Sequence, residues 1–396
     1  MEKEGYITLT YRMRFYDKHV DWLSKTAVLY NRVVKHYYEL LAQRTDLLSM
    51  SNFYLMRELE ILSVGTREMK KAGEKAAFSL VDFPVIPLYF RRAAINCAIS
   101  MMRSFQARKI TGASMAEKFS AAPVYYKGMY KELKEGSVLL KVFTGEKWKW
   151  QQYRFCGRKI PKESVILSPA VYMGEEQAYL HIPVQKTVED IRTVAERMKT
   201  EDKIFALAFP GGDSIAVGAL ISRTGEFLKA SFFRGGLELK AKRKRLIRKW
   251  KKGEKKYLKK IENVNTYYAH LISRQILDFC KREGVTVIVV PNYRQAIDFS
   301  NKGYLKTDNF EWIGRRVIRY LKYKGFSEGI LVSKVPVYGI SNSCSVCGEK
   351  IRRYNDGHTP GRNYYGGQLF ICSNGHRGNS GLNTARNVGK RFLSYF

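Results

Sequence analysis

Apolar and polar residues alternate along residues 5–14 (GYITLTYRMR), and this period of two predicts a β-strand. After this strand the spacing of apolar residues changes to three and four, which is typical of a helix. The helical positions continue to about Leu41 and include Val20, Leu23, Ala27, Tyr30, Val33 and Val34. Two more helical stretches follow, around residues 52–61 and 87–106. We therefore predict one strand followed by a helical insertion over residues 16–120.

Residues 121–186 have a different pattern, because short runs of aromatic and β-branched residues are separated by Gly, Lys and Glu. The runs include SVLLKVFT, WKWQQYRF and QAYLHIPVQK. Such a series of short strands is typical of a small antiparallel barrel. We expect residues 1–15 to close this barrel, and a charged helical stretch over residues 187–202 to link it to the rest of the chain.

A third region begins at residue 203, where KIFALAFPGGDSIAVGALIS and GEFLKASFF predict three strands in a meander. A basic helical run follows, and then a helix with the apolar residues Tyr267, Leu271, Ile276 and Leu277. A buried strand (285–290), another helix (310–324) and another strand (330–335) complete the pattern. This order of three strands, helix, strand, helix and strand predicts an α/β domain, and it matches an RNase H-like core.

The chain is strongly basic, with 70 Lys and Arg residues against 36 Asp and Glu residues and a net charge of +34 over 396 residues. Repulsion among so many like charges destabilises a compact chain, so a polyanionic partner is the simplest explanation. A soluble basic protein without such a partner is the alternative. A membrane-surface role is less favoured, because the basic residues run through the whole chain and do not line one apolar helix.

The densest charge lies between Lys240 and Lys260, where 13 of 21 residues are Lys or Arg and Glu254 is the single acid. This density suits a phosphate backbone, although a solvated helix face has a similar composition. Arginine residues elsewhere extend the predicted interface. The candidate nucleic-acid-binding residues are Arg91, Arg92, Arg103, Lys240, Lys242, Arg243, Lys244, Arg245, Arg248, Lys249, Lys251, Lys252, Lys255, Lys256, Arg315 and Arg316.

No stretch of apolar residues approaches the length of a membrane span, and the first residues (MEKEGYITLTYRMRF) lack the apolar core of a secretion signal. We therefore expect a cytoplasmic protein with no membrane partner. Cys97, Cys156 and Cys280 stand apart in apolar or mixed segments, where buried and reduced thiols are expected.

The remaining three cysteines have the spacing of a metal site. SCSVCG places Cys344 and Cys347 at C-x-x-C spacing, and FICSNGH supplies Cys372 and His376. The polar, Gly-rich loop between the two pairs, residues 348–369, has no apolar core of its own. A structural zinc ion bound by these three cysteines and one histidine would hold the ends of the loop together.

Two features leave the metal site open to other interpretations. His358 is the alternative fourth ligand. Gly375 occupies the place where a second C-x-x-C pair would have its other cysteine, so a degenerate ribbon with reduced thiols and no metal is the competing interpretation.

The C-terminal block YGISNSCSVCG, FICSNGH and LNTARNV resembles the end of transposon-encoded RNA-guided nucleases of the TnpB type and of miniature type V CRISPR effectors. FPVIPLYFRRAAINCAISMMRSF and SPAVYM, further upstream, also resemble this family. The resemblance implies a WED-like β-barrel with a REC-like helical insertion. It also implies a RuvC-like domain over residues 203–396, with a structural zinc ribbon inserted at about residues 339–378.

Nucleases of this family cut with three acids that hold two divalent cations. By the resemblance, these acids would stand at Ala208, Pro291 and Gly381, none of which binds a metal ion. The resemblance therefore implies a nuclease-dead protein, not an enzyme, with no catalytic Mg²⁺. Asp213 is a nearby acid, but it lies in a GGDS turn, where Asp is common for turn geometry alone.

The resemblance further implies two partners, a guide RNA and double-stranded target DNA with a short flanking motif. Without cleavage, the expected product is an R-loop that represses transcription on the bacterial nucleoid, with the transcription machinery as a further candidate partner. Three alternatives remain: a CRISPR-like effector that silences by binding alone, an RNA-guided recruiter of a transcription or transposition protein, and a protein-only nucleic-acid-binding relic.

Overall fold

The computed structural model describes residues 5–16, 20–109, 112–161, 164–175, 177–254, 256–293, 310–358, 360 and 367–396. The chain divides into two compact units, one formed by residues 8–186 and the other by residues 187–396 with the first residues of the chain. Both units combine helices and sheets, so the mixed α/β fold class is confirmed. None of the helices in the described ranges is long and apolar enough to cross a membrane.

The unit of residues 8–186 combines helices with a seven-stranded sheet. Its helices are α1 (Asp21–Gln43), α2 (Asn52–Val64), α3 (Arg67–Lys71) and α4 (Leu88–Lys109). Its strands are β1 (Gly5–Phe15), β2 (Tyr130–Lys134), β3 (Ser137–Phe143), β4 (Trp148–Cys156), β5 (Val165–Ile166), β6 (Ala170–Met173) and β7 (Ala178–Val188). The helices follow β1 in the sequence, so they form an insertion before the other strands.

Helix α1 buries the stripe of apolar residues that its sequence period predicts. Tyr30 lies at the centre of this stripe, and its ring meets the ring of Phe90 edge-on at 5.4 Å. The Tyr30 hydroxyl donates to the carbonyl oxygen of Ala93 on α4 at 3.0 Å, so its burial leaves no unpaired polar group. Helix α1 also reaches the sheet, where the backbone amide of Phe143 donates to Oγ1 of Thr26 at 2.8 Å.

The sheet of this unit has the strand order β2-β3-β4-β1-β7-β5, and β6 pairs with β7. Strand β1 therefore lies between β4 and β7. It joins the group of β2, β3 and β4 to the group of β5, β6 and β7, and together these strands form a half-barrel. Along β3, the alternation predicted from the sequence buries Val138, Leu140 and Val142 on the inner face.

The second unit contains a five-stranded sheet, a small three-stranded sheet and the remaining helices. Its helices are α5 (Val194–Thr200), α6 (Gly236–Lys251), α7 (Lys256–Arg282), α8 (Phe310–Phe326) and α9 (Ser380–Leu393). Its strands are β8 (Lys203–Ala208), β9 (Ser214–Ser222), β10 (Phe227–Arg234), β11 (Val287–Pro291), β12 (Leu331–Val335), β13 (Ile351–Tyr354), β14 (Leu369–Cys372) and β15 (Arg377–Asn379).

The five-stranded sheet has the order β10-β9-β8-β11-β12, with an antiparallel meander followed by two parallel strands. This is the RNase H-like arrangement expected from the order of the predicted elements. Because side chains alternate along β8, Phe205 and Leu207 face a core shared with α7 and α8. Ala206 and Ala208 face the other core, which contains residues of α9.

The basic run between residues 240 and 260 differs from the prediction of one continuous helix. Helix α6 ends at Lys251, and α7 begins at Lys256. Gly253 lies between them with a φ of 93°, in the left-handed region that ends helices. The charged run therefore occupies the end of one helix and the start of the next.

Two apolar residues of α7 are not part of its core stripe. Tyr267 is 59% exposed and Leu271 is 37% exposed, whereas Ile276 and Leu277 are buried. The buried stripe of α7 runs instead through other positions at helical spacing, among them Tyr268, Ala269 and Ile272. Apolar character alone did not reveal which face of the helix packs against the sheet.

The segment predicted as a linker, residues 187–202, contains the end of β7 and helix α5. Arg197 on α5 is fully buried. Its guanidinium donates to the carbonyl oxygens of Asp190, Arg192 and Thr286 and lies 3.3 Å from the Asp190 carboxylate. The segment therefore packs within the second unit and is more than a connection.

The substitution Arg197→Met is expected to lower the free energy of unfolding by roughly 3–5 kcal/mol, because it leaves buried carbonyl oxygens without donors. Denaturant unfolding of both proteins measures this difference. Arg223→Met is the matched control, since Arg223 is exposed and donates to the carbonyl oxygen of Lys199. A surface change of this kind is expected to stay within about 0.5 kcal/mol. Equal losses in the two variants would contradict the assigned role of Arg197.

Candidate nucleic-acid interface and metal centre

The three positions identified as lost acids lie at one end of the five-stranded sheet. Strands β8 and β11 are parallel neighbours, with Ile288 opposite Phe205 and Val289 opposite Ala206. Continued by two residues, this register brings Pro291 opposite Ala208 at the carboxyl ends of the two strands. Carboxyl ends of parallel strands are where α/β proteins place their ligands. Ala208 is 1% exposed, so this position now belongs to the core.

Gly381 lies in the first turn of α9 and faces the end of β8. A Cβ atom added at Gly381 would stand 2.8 Å from Cγ of Pro210, which is too close for an ordinary contact. Pro210 lies two residues after Ala208, a spacing that returns to the same face of an extended strand. The sequence did not single out Pro210, and no signal in its spacing would have found this contact. An aspartate at 381 would require Pro210 to move.

A cavity of about 430 Å³ opens beside Gly381. Its lining residues are Pro210, Gly211, Gly212, Asp213, Ser214, Val217, Phe232, Arg234, Asn355, Gly367, Gln368, Asn379, Ser380 and Gly381. Asp213 is the one carboxylate among them, and its Oδ2 lies 3.6 Å from Nε of Arg234. A two-cation centre needs several carboxylates. The described residues of this cavity therefore do not provide one.

Cys344, Cys347, Cys372 and His376 form a single cluster, in which the ligand atoms all lie within 4.8 Å of one another. The Sγ atoms of Cys347 and Cys372 are 3.7 Å apart, and Nδ1 of His376 lies 3.3 Å from Sγ of Cys372. The alternative ligand His358 is exposed and lies 3.2 Å from the carbonyl oxygen of Asp356 through its Nδ1. His376, and not His358, therefore completes the cluster.

Local backbone geometry prepares this cluster for a metal ion. Both knuckles turn through a glycine in the left-handed region, Gly348 with a φ of 81° and Gly375 with a φ of 78°. Burial raises the pKa of the Cys344 thiol, but hydrogen bonds from the backbone amides of Cys347 and Val346 and from the neighbouring thiols together hold the pKa below its usual value. The pKa of the Cys372 thiol is shifted the other way, because burial raises it. A lowered pKa favours the thiolate, which is the form that binds zinc. The donor set fits tetrahedral Zn²⁺.

Helix α9 holds the first knuckle of the cluster through the asparagines of the LNTARN motif. The Asn383 side chain accepts from the backbone amide of Ser345 at 2.7 Å and donates to the carbonyl oxygen of Ser343 at 2.8 Å. Asn387 donates to the carbonyl oxygens of Ile340 and Ser343 at 2.9 and 2.8 Å. The motif thus connects the ribbon to the helix that covers the sheet, a role that the sequence analysis did not assign.

Helix α6 presents most of its predicted nucleic-acid-binding residues to solvent. The exposed ones on this helix are Lys240, Lys242, Lys244, Arg245, Arg248 and Lys251. Beyond the helix, Lys252 and Lys256 are also exposed, and Lys249 is half-buried. Arg243 differs, because it is 5% exposed and lies on the packed side of the helix. Lys255 lies outside the described residues.

The arginines predicted elsewhere have partners within the protein. Arg91 and Arg92 both bind the carboxylate of Glu60. Arg103 donates to the side chain of Asn52 and to the carbonyl oxygen of Met50. Arg315 donates to the carbonyl oxygen of Tyr293, and Arg316 binds Glu262 and Thr266. These contacts orient the arginines on their helices. Among the predicted nucleic-acid-binding residues that the structure describes, the exposed ones lie on α6 and just beyond it, at Lys252 and Lys256.

Family comparisons agree with the ribbon and its setting. Residues 315–388 match the family described as Cas12f1-like, TNB domain. The chain contains a Cas12f1-like TNB domain. Outside this domain, the similarity to type V proteins is a similarity of fold. Residues 7–144 match the Aq_aa04 family, and no curated protein matches the sequence.

Two solved structures have a similar fold. Cas12f1, in a complex with sgRNA and target DNA, is 15% identical with a TM-score of 0.51, and the match covers 93% of this chain and 81% of that one. AacC2c1, in a binary complex with sgRNA, is 9% identical with a TM-score of 0.50, and the match covers 96% of this chain and 71% of that one. At these identities the similarity concerns the fold, and the TNB domain match concerns the C-terminal region.

Proposed function

We propose that this TnpB-like protein binds double-stranded DNA under the direction of a guide RNA, does not cut it, and represses transcription through the resulting R-loop. The observation that carries the absence of cutting is the composition of the sheet end. Ala208, Pro291 and Gly381 stand where, by the resemblance, nucleases of this type have acids. Among the described residues that line the neighbouring cavity, one is a carboxylate, Asp213, and it is paired with Arg234. Without carboxylates to hold two cations, the scissile phosphate is not activated.

The proposed partners rest on the domain match, the fold and the charge. The similar Cas12f1 structure is a complex with sgRNA and target DNA. The net charge of +34 and the exposed cationic side of α6 suit two polyanionic partners. In RNA-guided recognition, base pairing reads the sequence, while the protein contacts the backbone and a short flanking motif. An R-loop that is formed and not cut would stay in place as an obstacle to RNA polymerase.

We also infer that a zinc ion is bound by Cys344, Cys347, Cys372 and His376. Three thiolates and one imidazole are a closed tetrahedral set that leaves no position for a substrate. A closed set of this kind supplies stability and no chemistry. The ribbon depends on this stability, because the apolar cluster formed by its described residues is small. The hydrogen bonds from Asn383 and Asn387 would then fix the ordered ribbon to α9, the helix that covers the RuvC-like sheet.

The experiment that tests the guided function is purification of the protein from cells that carry its native locus, followed by sequencing of the bound RNA. We expect one abundant RNA, encoded beside the gene and ending in a segment that matches a host promoter. In a variant with the substitutions Lys244→Glu, Arg245→Glu and Arg248→Glu, which reverse exposed charges on α6, we expect this RNA to be lost. A mixture of cellular RNAs, or none, would contradict the guided function. If the guide matches a mobile element and a repeat array lies beside the gene, CRISPR-like silencing is favoured over transcriptional repression.

A further inference from the structure

A band of aromatic rings crosses the surface of the RuvC-like unit from α7 to α8, with Tyr320 half-buried at its centre and the others exposed. His270 and Tyr320 are stacked with their ring centroids 4.0 Å apart and their planes at 12°. Tyr323, 39% exposed, meets Tyr320 edge-on at 5.9 Å. Tyr267 and Leu271 continue the band on α7, and both are exposed. Exposed aromatic side chains that are grouped in one place are typical of binding sites.

The two helices hold the rings in fixed positions. The ammonium group of Lys324 donates to the carbonyl oxygen of His270 at 3.1 Å and to Oγ of Ser273 at 2.8 Å. One helical turn away, Arg316 of α8 donates to Oγ1 of Thr266 of α7 at 2.8 Å, across the same contact between the two helices. Beneath the rings, α7 and α8 share an apolar core. A preformed surface loses less entropy on binding than a flexible one.

Cations surround the rings. The guanidinium of Arg319 lies 5.3 Å from the centre of the Tyr320 ring, and the ammonium of Lys324 lies 5.7 Å from it. Lys322, on the next turn of α8, is exposed. Burial, followed by the charges of Lys324 and Arg319, lowers the pKa of His270, which favours the uncharged form of its ring.

The nearby acids are compensated by their own partners. Glu262 is paired with Arg316, and Glu328 is paired with both Arg274 and Lys281. The band therefore combines flat aromatic surface with a local excess of positive charge. This combination suits a ligand that carries both rings and negative charges.

We propose that this aromatic band binds an unpaired polynucleotide strand, with bases stacked on Tyr267 and Tyr323 and phosphates near Arg319 and Lys322. Duplex nucleic acid is a poor occupant, because its bases are already stacked on one another. Single strands expose both the base faces and the phosphates, and proteins bind them by combining aromatic and basic side chains. The site does not depend on a guide RNA, so it stands or fails separately from the guided function proposed above.

The test is photocrosslinking of the full-length protein to single-stranded DNA and RNA oligonucleotides that contain 5-iodouracil, with the crosslinked peptides located by mass spectrometry. Iodouracil crosslinks to aromatic side chains that stack on it, so we expect crosslinks at Tyr267 and Tyr323. The relative yields with DNA and RNA identify which strand the band prefers. Crosslinks confined to other exposed aromatic residues, such as Trp150 or Phe232, would overturn the proposal.

Affinity measurements with the same oligonucleotides give an independent readout. Loss of one stacked base costs about 1–3 kcal/mol, so Tyr267→Ala and Tyr323→Ala should each weaken single-strand binding by about 5- to 150-fold. The slope of affinity against salt should not change, whereas Arg319→Gln should reduce it. Tyr267→Phe and Tyr323→Phe should keep the affinity, and Tyr338→Ala, at a residue 90% exposed elsewhere, is the matched control. Unchanged affinity in both alanine variants would refute the site.

Discussion

Loaded with its guide RNA and given Mg²⁺, the protein is expected to bind matched duplex DNA and leave both strands intact. The physical reason is that Ala208, Pro291 and Gly381 have no side-chain carboxylates to hold two cations, and Asp213 is paired with Arg234. Binding is expected to require the guide, and mismatches in the roughly 8–12 nucleotides nearest the flanking motif should abolish it. Gel shifts on end-labelled duplexes measure binding, and denaturing gels of the same samples measure cleavage.

Asp213→Ala provides the control for this experiment. If Asp213 has no catalytic role, the variant and the parent protein should bind alike and neither should produce cut strands. Nicking by the parent protein that disappears in Asp213→Ala would show a rebuilt metal centre and overturn the absence of cleavage. Binding that ignores the guide sequence would instead favour a protein-only nucleic-acid-binding function.

The substitution Cys344→Ser is expected to remove the bound zinc and unfold the ribbon. In isolated zinc-finger peptides, zinc binding supplies roughly 10–16 kcal/mol of apparent folding free energy. The described residues of this ribbon form a small buried cluster of Cys344, Ile351, Phe370 and Cys372, and two of these four are metal ligands. Metal analysis should fall from one zinc per chain to none, and the melting temperature should fall with it. Protease digestion should locate the new cleavage sites between residues 339 and 378.

Cys156→Ser is the matched control, because Cys156 lies on β4, outside the metal cluster. This variant should keep its zinc and its protease resistance. A chelator should lower the melting temperature of the parent protein but leave that of Cys344→Ser unchanged. Equal zinc content in the parent protein and Cys344→Ser would refute the metal site.

The ligand set illustrates what local sequence can predict. A C-x-x-C pair fixes the distance between two thiols through the backbone of a single turn, and Cys372 and His376 likewise lie within one turn of each other. The structure brings the two pairs into one cluster and excludes His358. The choice between His376 and His358 depended on the course of the loop, which the sequence did not specify.

The three positions predicted to have lost catalytic acids show the limit of the same reasoning. Alignment of short strands with the family pattern identified Ala208, Pro291 and Gly381, and the register of β8 and β11 brings the first two side by side. The contact between Gly381 and Pro210 was not predicted, because it joins a helix end to a strand end that are far apart in sequence. The roles of Asn383 and Asn387 were missed for the same reason.

The least accurate prediction was which side chains of each helix are buried and which are exposed. Arg243 was included among the candidate nucleic-acid-binding residues of the basic run, yet it lies on the packed side of α6. Tyr267 and Leu271 were grouped with apolar residues of α7, yet both are exposed. In each case composition identified the helix, but the helix's rotation against the sheet determined which side chains reached solvent.

The sequence by itself determined the local features of this protein: the strands and helices, the zinc-ligand spacing, the excess of positive charge and the absence of acids at three positions. These depend on side-chain chemistry and on periodicities of two to four residues. Tertiary structure alone decided the strand order of the sheets, the meeting of Pro210 with Gly381, the tie between α9 and the ribbon, and the aromatic band on α7 and α8. These features depend on packing between distant segments, and the period of a helix or strand contains no information about which segment it will meet.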